Sequence, residues 1–359
     1  MAFAAIEKRV VDTIPVLTQE NNYGKDFIYY GADNLYPEYL FGLFNDVTTL
    51  KTIISGTADF VAGDDVFGNV PGFEVTVNRR GDTWRDFITY LATDWMLYGG
   101  CTYEVIRNLK GDISELYYID FRYIRTDKKN ETFWYSEDYG KRYIRSSKTI
   151  VYPKFVPGGD VPASIVYIKN TTSTPYPIPR YSGAIKACEI ERHIDEMHLN
   201  GISNGFLPSF MINFNNGIPT DEQKEEIEKS VTEKFCGSEN AGRVLLNFSN
   251  GKENQAEIQA VEMTDFGDKY QAAAKRSREM IYTAFAANPC LFGLNTEANG
   301  FSEIEFVEAF KLYNQTIIRA IQRKFGDSLD RVFNRKGAVT FKPFTLEKKD
   351  EDNQIETVN

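Results

Sequence analysis

The spacing of apolar residues between positions 181 and 302 predicts two long helices. The first is predicted from Ser182, a helix-capping residue, to about Asn204. Its apolar residues recur at spacings of three and four, at Ala187, Ile190, Ile194 and Met197. The second is predicted from Thr264 to Asn288, because Pro289 stops a helix. The first helix alone has a length of roughly 30 Å at about 1.5 Å per residue.

A small mixed module is predicted between the two helices. Period-two runs indicate strands at 210–214, 243–248 and 257–263. Thr220 and Gln223 have the spacing of a capping box, which predicts a short helix. Its inward face is formed by Ile227, Val231 and Phe235. Two long helices that hold such a module suit a mechanical role and offer no obvious pocket.

The first 180 residues alternate between helical and strand periods. Helices are predicted with Pro37 in the first turn, from a cap at Asp46 to Gly63, and from Asp82 or Thr83 to Gly99. The predicted strands are Phe73 to Val77 and then, in an antiparallel region expected to be a meander, 102–107, 116–119, 123–125, 132–135 and 143–145. A connector rich in proline and threonine, 170–180, marks a module boundary.

After the second long helix comes a polar loop and another helix. The loop consists of Leu294, Asn295, Thr296, Glu297, Ala298, Asn299 and Gly300. Ser302 is the predicted cap of a helix that reaches Phe325–Gly326, with an apolar face made of Phe306, Phe310, Tyr313, Ile317 and Ile321. A strand at 338–341 and an acidic tail from Glu347 complete an α+β chain.

The composition of the chain limits its possible functions more than its possible folds. A chain of 359 residues with 42% hydrophobic content is expected to form two or three modules. Its net charge of −10 argues against a surface that binds nucleic acid throughout. The four cysteines, Cys101, Cys188, Cys236 and Cys290, are widely spaced, which predicts buried thiols in a reducing compartment. With no leader or apolar spanning run, we expect a soluble protein made in a cytoplasm, without a membrane partner.

The sequence has no catalytic motif. The two histidines, His193 and His198, are five residues apart and fall on different faces of one helix. The densest acids are Glu225, Glu226 and Glu228, and Glu303, Glu305 and Glu308, whose helical spacing is typical of a solvated face. We expect the bases Lys275, Arg276 and Arg278 to pair with acids of the first long helix, Glu189, Glu191, Asp195 and Glu196, in the same subunit or a neighbour. With no metal or cofactor predicted, binding or assembly is favoured.

Four stretches resemble the portal proteins of tailed bacteriophages of the HK97-like kind. The first two are Asn34–Pro37 and Tyr98–Val105. The third is Leu116–Asp120 together with Arg122–Arg125, and it lacks the proline that the family has there. The fourth and most specific is the run from Phe206 through Gly237–Leu245 to Asn288–Gly293. The last of these matches the family in order and spacing over about 100 residues, and a looser match covers 30–345.

The resemblance implies a ring-forming fold whose parts are named by position. The amino-terminal 1–180 would be the wing, 181–204 and 264–288 the stem helices, 205–263 the clip, 289–301 the tunnel-loop segment, 302–346 a long helix with a wing strand, and 347–359 the tail. Because the chain stops soon after Phe344, the crown of other relatives is expected to be absent or reduced to the tail.

Specific residues take roles by the same resemblance. Residues 294–300 would line the DNA channel, supported by Glu303, Glu305 and Glu308. The clip residues expected to dock the terminase and the neck are Thr220, Asp221, Glu222, Glu225, Glu226, Ser238, Glu239, Asn240 and Arg243. The stem residues are Glu189, Arg192, Glu196, Lys275, Arg276 and Arg278.

The implied partners are copies of the same chain, double-stranded DNA, the large terminase, the major capsid protein and a neck or adaptor protein. The ring is expected to be a dodecamer, to read no DNA sequence, and to sit at one vertex of a virion assembled in the bacterial cytoplasm. Two alternatives stay open, another virion or neck assembly protein and a hydrolase that uses Glu303, Glu305 or Glu308.

Overall fold

The structure is a computed structural model that describes residues 17–19, 26–139, 149–203, 210–214, 220, 244–248, 258–260, 266–293 and 303–344. The chain divides into two compact units. The first combines residues 1–186 with 281–359, and the second consists of residues 187–280.

Three helices open the first unit, α1 (Tyr36–Asp46), α2 (Thr48–Ala62) and α3 (Trp84–Tyr98). Pro37 lies in the first turn of α1, as predicted. The predicted cap of α2 at Asp46 is wrong, since Asp46 is the last residue of α1 and Val47 precedes α2 without a side-chain cap. Burial explains the difference, because the extended Val47 is fully buried while its N–H closes α1 on the carbonyl of Leu43.

The buried face of α2 and both ends of α3 agree with the sequence prediction. The predicted inward stripe of α2 is confirmed, since all of its members are buried, namely Leu50, Ile53, Ile54, Thr57, Ala58 and Val61. Thr83 and Asp86 form a capping box at the start of α3, and Gly99 ends the helix in the left-handed conformation.

The predicted strand Phe73–Val77 is wrong. This segment makes one isolated bridge, Thr76 to Thr83. The Val77 N–H donates to the Asp82 carbonyl at 2.9 Å, and the Val77 carbonyl accepts from the Leu116 N–H at 2.8 Å. The alternation of buried Phe73 with exposed Val75 imitates a strand, but these few described hydrogen bonds do not form a ladder with a neighbouring strand. A short strand instead forms earlier, β1 (Asp65–Gly68).

The antiparallel region forms two sheets rather than one meander. β2 (Gly100–Arg107) lies between β3 (Ile113–Ile119) and β7 (Ala163–Lys169). A second sheet, in the order predicted for a meander, consists of β4 (Ile124–Thr126), β5 (Thr132–Tyr135) and β6 (Ile150–Pro153). β2 is buried over its first four residues and pairs on both sides, so β7 returns to β2 although β4, β5 and β6 intervene in the chain. The predicted strand at 143–145 lies outside the described residues.

The two long helices are α4 (Ile185–Ser203), after a 3₁₀ turn at Ser182–Ala184, and α5 (Phe266–Phe285). The three strands predicted between them are confirmed as β8 (Phe210–Phe214), β9 (Val244–Phe248) and β10 (Ile258–Ala260). β8 pairs in parallel with β9 and antiparallel with β10. A parallel pair needs a crossover connection, and the helix predicted from Thr220 falls in that connection, outside the described residues except Thr220 itself.

The chain then forms a 3₁₀ turn at Pro289–Phe292, helix α6 (Glu303–Tyr313), a π-helical segment at Asn314–Ile318 and helix α7 (Arg319–Phe333). The predicted end at Phe325–Gly326 is wrong, since the buried side chains of Leu329 and Val332 continue the apolar stripe. One glycine costs a helix only about 1 kcal/mol, which this burial offsets. β11 (Val339–Lys342) follows and pairs antiparallel with β1.

Candidate channel loop and its supporting helices

The predicted channel loop, residues 294–300, lies outside the described residues, whereas both of its flanks are described. Before the loop, the Cys290 N–H donates to the side-chain oxygen of Asn288 at 3.1 Å, which caps the 3₁₀ turn. Gly293 ends the turn with a φ of 79°. After the loop, α6 begins at Glu303. The chain therefore enters the loop from a capped turn and leaves it into a helix.

An aromatic cluster holds both flanks of the loop against α2. Phe292, at the end of the 3₁₀ turn, packs on Phe60 of α2 and on Tyr313 of α6, with ring centroids 6.0 and 5.9 Å apart. Phe310 of α6 meets the same Phe60 edge-on at 5.4 Å, and Phe344 joins both of them. Aromatic pairs of this kind contribute about 0.5–1.5 kcal/mol beyond burial of their area. The two ends of the loop are thus fixed to one helix.

Helix α2 is shaped to receive these contacts. A side-chain carbon at Gly56 would lie only 3.0 Å from the Phe292 ring, so glycine makes room for that ring. At the next residue, Thr57, the buried side-chain hydroxyl is hydrogen-bonded to the Tyr313 hydroxyl at 2.8 Å. Burial raises the pKa of Tyr313, which keeps its hydroxyl protonated for this bond. Farther along, the Gln322 amide donates to the Val61 carbonyl at 2.8 Å, so α7 is tied to the same helix.

The acids of α6 lie on its solvent side. Glu305 and Glu308 are exposed, as their helical spacing predicts, and Glu308 pairs with Lys311 at 2.8 Å. The side chain of Glu303 is outside the described residues. Burial, with a further contribution from the Glu305 charge, raises the pKa of the Cys290 thiol. Counted over Glu297–Lys311, four acids and one base give a charge of −3.

The predicted stem acids occupy two different environments. Glu189 is buried and pairs with Arg192, three residues on, at 2.8 Å. Glu196 is exposed, and its carboxylate accepts a hydrogen bond from Nδ1 of His193 at 3.0 Å. These contacts lie within α4. The predicted pairing of Glu189 or Glu196 with bases of the second long helix stays a prediction.

The predicted stem bases lie on α5. Lys275, Arg276 and Arg278 are exposed, whereas Ser277 among them is buried. A helix that buries one residue in this run and exposes its neighbours presents basic side chains on both flanks of its outer surface. Their role at a subunit contact stays a prediction.

Of the predicted clip residues, the structure describes only Thr220, which is exposed. The others lie outside the described residues, and they are Asp221, Glu222, Glu225, Glu226, Ser238, Glu239, Asn240 and Arg243. The described strands β8, β9 and β10 supply the sheet on which these segments are inserted.

Three of the four cysteines are described, and the prediction of buried thiols is confirmed for Cys101, Cys188 and Cys290. Burial raises the pKa of Cys188 to about 12, so this thiol stays protonated. In the described part of the chain, no group of three or more histidine, cysteine or acidic side chains is arranged to hold a metal ion. None of the described helices is both long and apolar enough to cross a bilayer.

Sequence reasoning missed a run of exposed bases at the end of the chain. On α7 and the turn after it, the exposed basic residues are Arg319, Arg323, Lys324, Arg331, Arg335 and Lys336, which we call the basic stripe. The signal was available, since Arg319 and Arg323 are four residues apart and lie opposite buried Ile321 and Phe325. It was overlooked because the helix was predicted to end before Arg331.

Comparison with known proteins identifies the family. A sequence model described as phage portal protein matches residues 78–359, which is most of the chain. The chain belongs to the phage portal protein family. The match covers strands β2 to β11, both long helices and the loop-bearing segment.

Solved structures of the same kind share the fold. A chain in the virion of a native gene transfer agent particle superposes with a TM-score of 0.54 at 15% identity, covering 86% of this chain and 84% of that one. An HK97 family phage portal protein from Corynebacterium diphtheriae gives a TM-score of 0.51 at 10% identity, covering 84% of this chain and 94% of that one. The predicted α+β portal fold is confirmed.

The relatives found by sequence align with a smaller part of this chain. An uncharacterised protein of Rickettsia bellii is 28% identical over 174 residues, which are 47% of this chain and 43% of the relative. An uncharacterised protein of Rickettsia felis is 30% identical over 135 residues, 37% of this chain and 33% of the relative. The aligned regions therefore span less than half the length of each relative.

Proposed function

We propose that this chain is a portal subunit. Copies of it assemble into a closed ring at one vertex of a phage-like particle, and double-stranded DNA passes through the central channel during packaging and ejection. The observation that carries the proposal is the family match, which extends through both long helices and the loop between α5 and α6. The role is structural rather than catalytic.

Assembly into a ring explains why the long helices expose apolar and basic side chains. In a ring, each subunit presents one face to the neighbour on its left and a different face to the neighbour on its right. Such faces are supplied by the exposed bases of α5 together with the exposed large apolar residues described on the long helices, Ile190, Met197, Leu199 and Met280. The dodecameric ring that we propose would bury them.

The loop at 294–300 is proposed to line the channel. DNA that must slide is slowed by every cationic side chain that binds a phosphate, because each contact adds salt-dependent affinity. The charge of −3 over Glu297–Lys311 keeps such contacts few. The aromatic cluster on α2 supports this role, since it anchors both flanks of the loop while DNA moves past.

The partners follow from the same role. The clip, residues 205–263, is proposed to dock the large terminase during packaging and a neck or adaptor protein afterwards, and the wing is proposed to meet the major capsid protein. The parallel pairing of β8 with β9 supports this role, because the part of the chain between these two strands contains all of the predicted docking residues.

Electron microscopy of the purified full-length protein tests the proposal. We expect rings with a central hole wide enough for duplex DNA. A protein that stays monomeric at high concentration would contradict the proposal.

A charge-neutral variant separates the portal from a hydrolase. Replacing Glu303, Glu305 and Glu308 together by glutamine removes the acids that hydrolytic chemistry would use while keeping helix-forming residues. We expect rings as in the wild type. Metal-dependent nuclease activity that is present in the wild type and lost in the variant would favour the hydrolase instead.

A further inference from the structure

The basic stripe has a charge that sets it apart from the rest of the chain. Residues 319–336 contain six basic and two acidic side chains, a formal charge of +4, in a protein whose net charge is −10. All six bases are exposed. A solvated face needs no such excess of one sign, because mixed charges serve solubility equally well.

The two acids do little to neutralise the stripe. Asp330 is partly buried, and its carboxylate accepts the Ala338 N–H at 2.9 Å, where it holds the turn before β11. Asp327 is exposed, and the Arg331 guanidinium donates to its backbone carbonyl at 3.1 Å. None of the six bases forms an ion pair with another residue that the structure describes, although Lys324 packs over the Trp95 ring.

The geometry suits an extended polyanion. Arg319, Arg323 and Arg331 lie at intervals of four and eight residues, so they fall within a sector of about 120° around α7, opposite its buried side chains, and extend over about 18 Å of helix axis. A duplex carries one phosphate charge per about 1.7 Å of its axis, so several phosphates come within reach of this length. Four of the six bases are arginines, whose planar fork binds phosphate oxygens in pairs.

The surface is unlike a protein interface. Within residues 319–336 every large apolar side chain is buried or half-buried, so the stripe offers no exposed apolar anchor. Stable protein interfaces bury aromatic or aliphatic anchors at their centre and are depleted of charge there. Contacts made by cations alone are typical of the nucleic-acid backbone.

We propose that the basic stripe binds the phosphate backbone of duplex DNA outside the channel, without reading its sequence. This goes beyond the proposed function, in which DNA contacts only the channel lining, whose charge is negative whereas that of the basic stripe is positive. Such a site holds DNA on the outer surface of the first unit while the channel stays weakly adhesive.

The test uses a covalently closed circular duplex as its probe. Such a circle cannot thread through a preformed ring, so its binding reports the outer surface. The full-length wild type is compared with an Arg319→Gln/Arg323→Gln/Arg331→Gln variant over a range of salt concentrations. The matched control, Lys110→Gln/Lys128→Gln/Lys129→Gln, removes the same charge from exposed residues of two turns.

We expect the stripe variant to bind the circle about tenfold or more weakly near 0.1 M salt, and the slope of log affinity against log salt to fall by about one for each contact removed. The control should behave as the wild type. Thermal unfolding of all three proteins checks that the stripe variant is folded.

Four outcomes would overturn the proposal. The first two are wild-type binding by the stripe variant and an equal loss of binding in the control. The third is displacement of the circle by polyglutamate as readily as by duplex DNA, which would indicate an acidic protein partner. The fourth is loss of rings in the stripe variant, which would indicate a subunit contact. A wild type that binds the circle but forms no ring would contradict the portal proposal and leave this one standing.

Discussion

Arg125 is fully buried, and the acceptors of its described hydrogen bonds are neutral amide and carbonyl oxygens rather than a carboxylate. Its guanidinium donates to the side-chain and backbone oxygens of Asn34, both at 2.6 Å, and to the carbonyls of Arg122 and Ile124 at 2.7 and 2.8 Å. The Tyr139 ring lies 4.3 Å from the guanidinium carbon. These bonds fix Asn34 in the left-handed conformation, at the start of a segment that resembled the family.

Replacing Arg125 by methionine should destabilise the fold strongly. The change keeps most of the apolar volume but leaves several buried oxygens without donors, which costs about 3 kcal/mol or more of the free energy of unfolding. Denaturant unfolding measures the loss. Arg79→Met is the matched control, because the Arg79 side chain is 84% exposed in its pair with Glu115 and should contribute less than about 1 kcal/mol. Equal losses would contradict this assignment.

Asp94 makes stability depend on pH. It is buried on α3, and its carboxyl accepts the Phe121 N–H at 3.2 Å. Burial, with repulsion from Asp120, raises its pKa well above the usual 3.8. As pH rises above 3.8, the unfolded chain loses this proton while the folded chain still holds it, so the contribution of Asp94 to stability falls until the folded group also ionises.

Replacing Asp94 by asparagine should therefore stabilise the protein increasingly from about pH 4 upward. Asparagine can still accept the Phe121 N–H, and it has no proton to lose. Unfolding midpoints in denaturant, measured from pH 4 to 8, would reveal the growing difference from the wild type. A difference that stays constant with pH would show that Asp94 does not titrate in this window.

At the scale of elements, the end of α2 is joined to β11 through a glycine. Gly63 has a φ of 68°, and a side-chain carbon there would lie 2.2 Å from the Lys342 carbonyl oxygen. The next residue, Asp64, donates its N–H to that same oxygen at 3.1 Å. Gly63 thus permits the close approach that starts the pairing of β1 with β11.

Gly63→Ala should weaken this pairing more than backbone strain alone explains. The control is Gly72→Ala, since Gly72 has a φ of 85° and nothing within 4 Å of the added carbon. The control should lose about 1 kcal/mol of the free energy of unfolding and Gly63→Ala at least another 1 kcal/mol. Denaturant unfolding compares the two, and similar losses would mean that the contact with Lys342 adjusts at little cost.

For the whole molecule, the loop between α5 and α6 carries the functional prediction. Deleting Asn295–Asn299 should leave the ring assembled, because the aromatic cluster that anchors the loop's flanks is untouched. Packaging or retention of DNA should be impaired. Electron microscopy checks the ring, and the DNA content of assembled particles checks packaging.

A matched variant replaces the same five residues by glycine and serine, so that chain length is kept. We expect it to fall between the wild type and the deletion. Packaging by the deletion variant at the wild-type level would remove the assignment of this loop to the channel.

What the sequence determined by itself was local. The start of α3 at Asp82 or Thr83, its end at Gly99 and the inward stripe of α2 each depend on residues within a few positions of one another, and all were predicted from the sequence. A polar loop was predicted in the same way, from the proline that stops the second long helix and the helical period that follows, and its role in the channel stays a prediction from the resemblance. The stretches that resembled portal proteins added the family, which the comparisons confirmed.

What only the tertiary structure decided was which distant segments meet. Asn69 donates to the Gly337 carbonyl across 268 residues, next to the pairing of β1 with β11 that spacing did not indicate. The return of β7 to β2 and the donors that Arg125 brings to Asn34 are of the same kind. The physical reason is that a strand edge, a buried cation or a long apolar stripe is stabilised by whatever the fold brings against it, and no short window of sequence contains that partner.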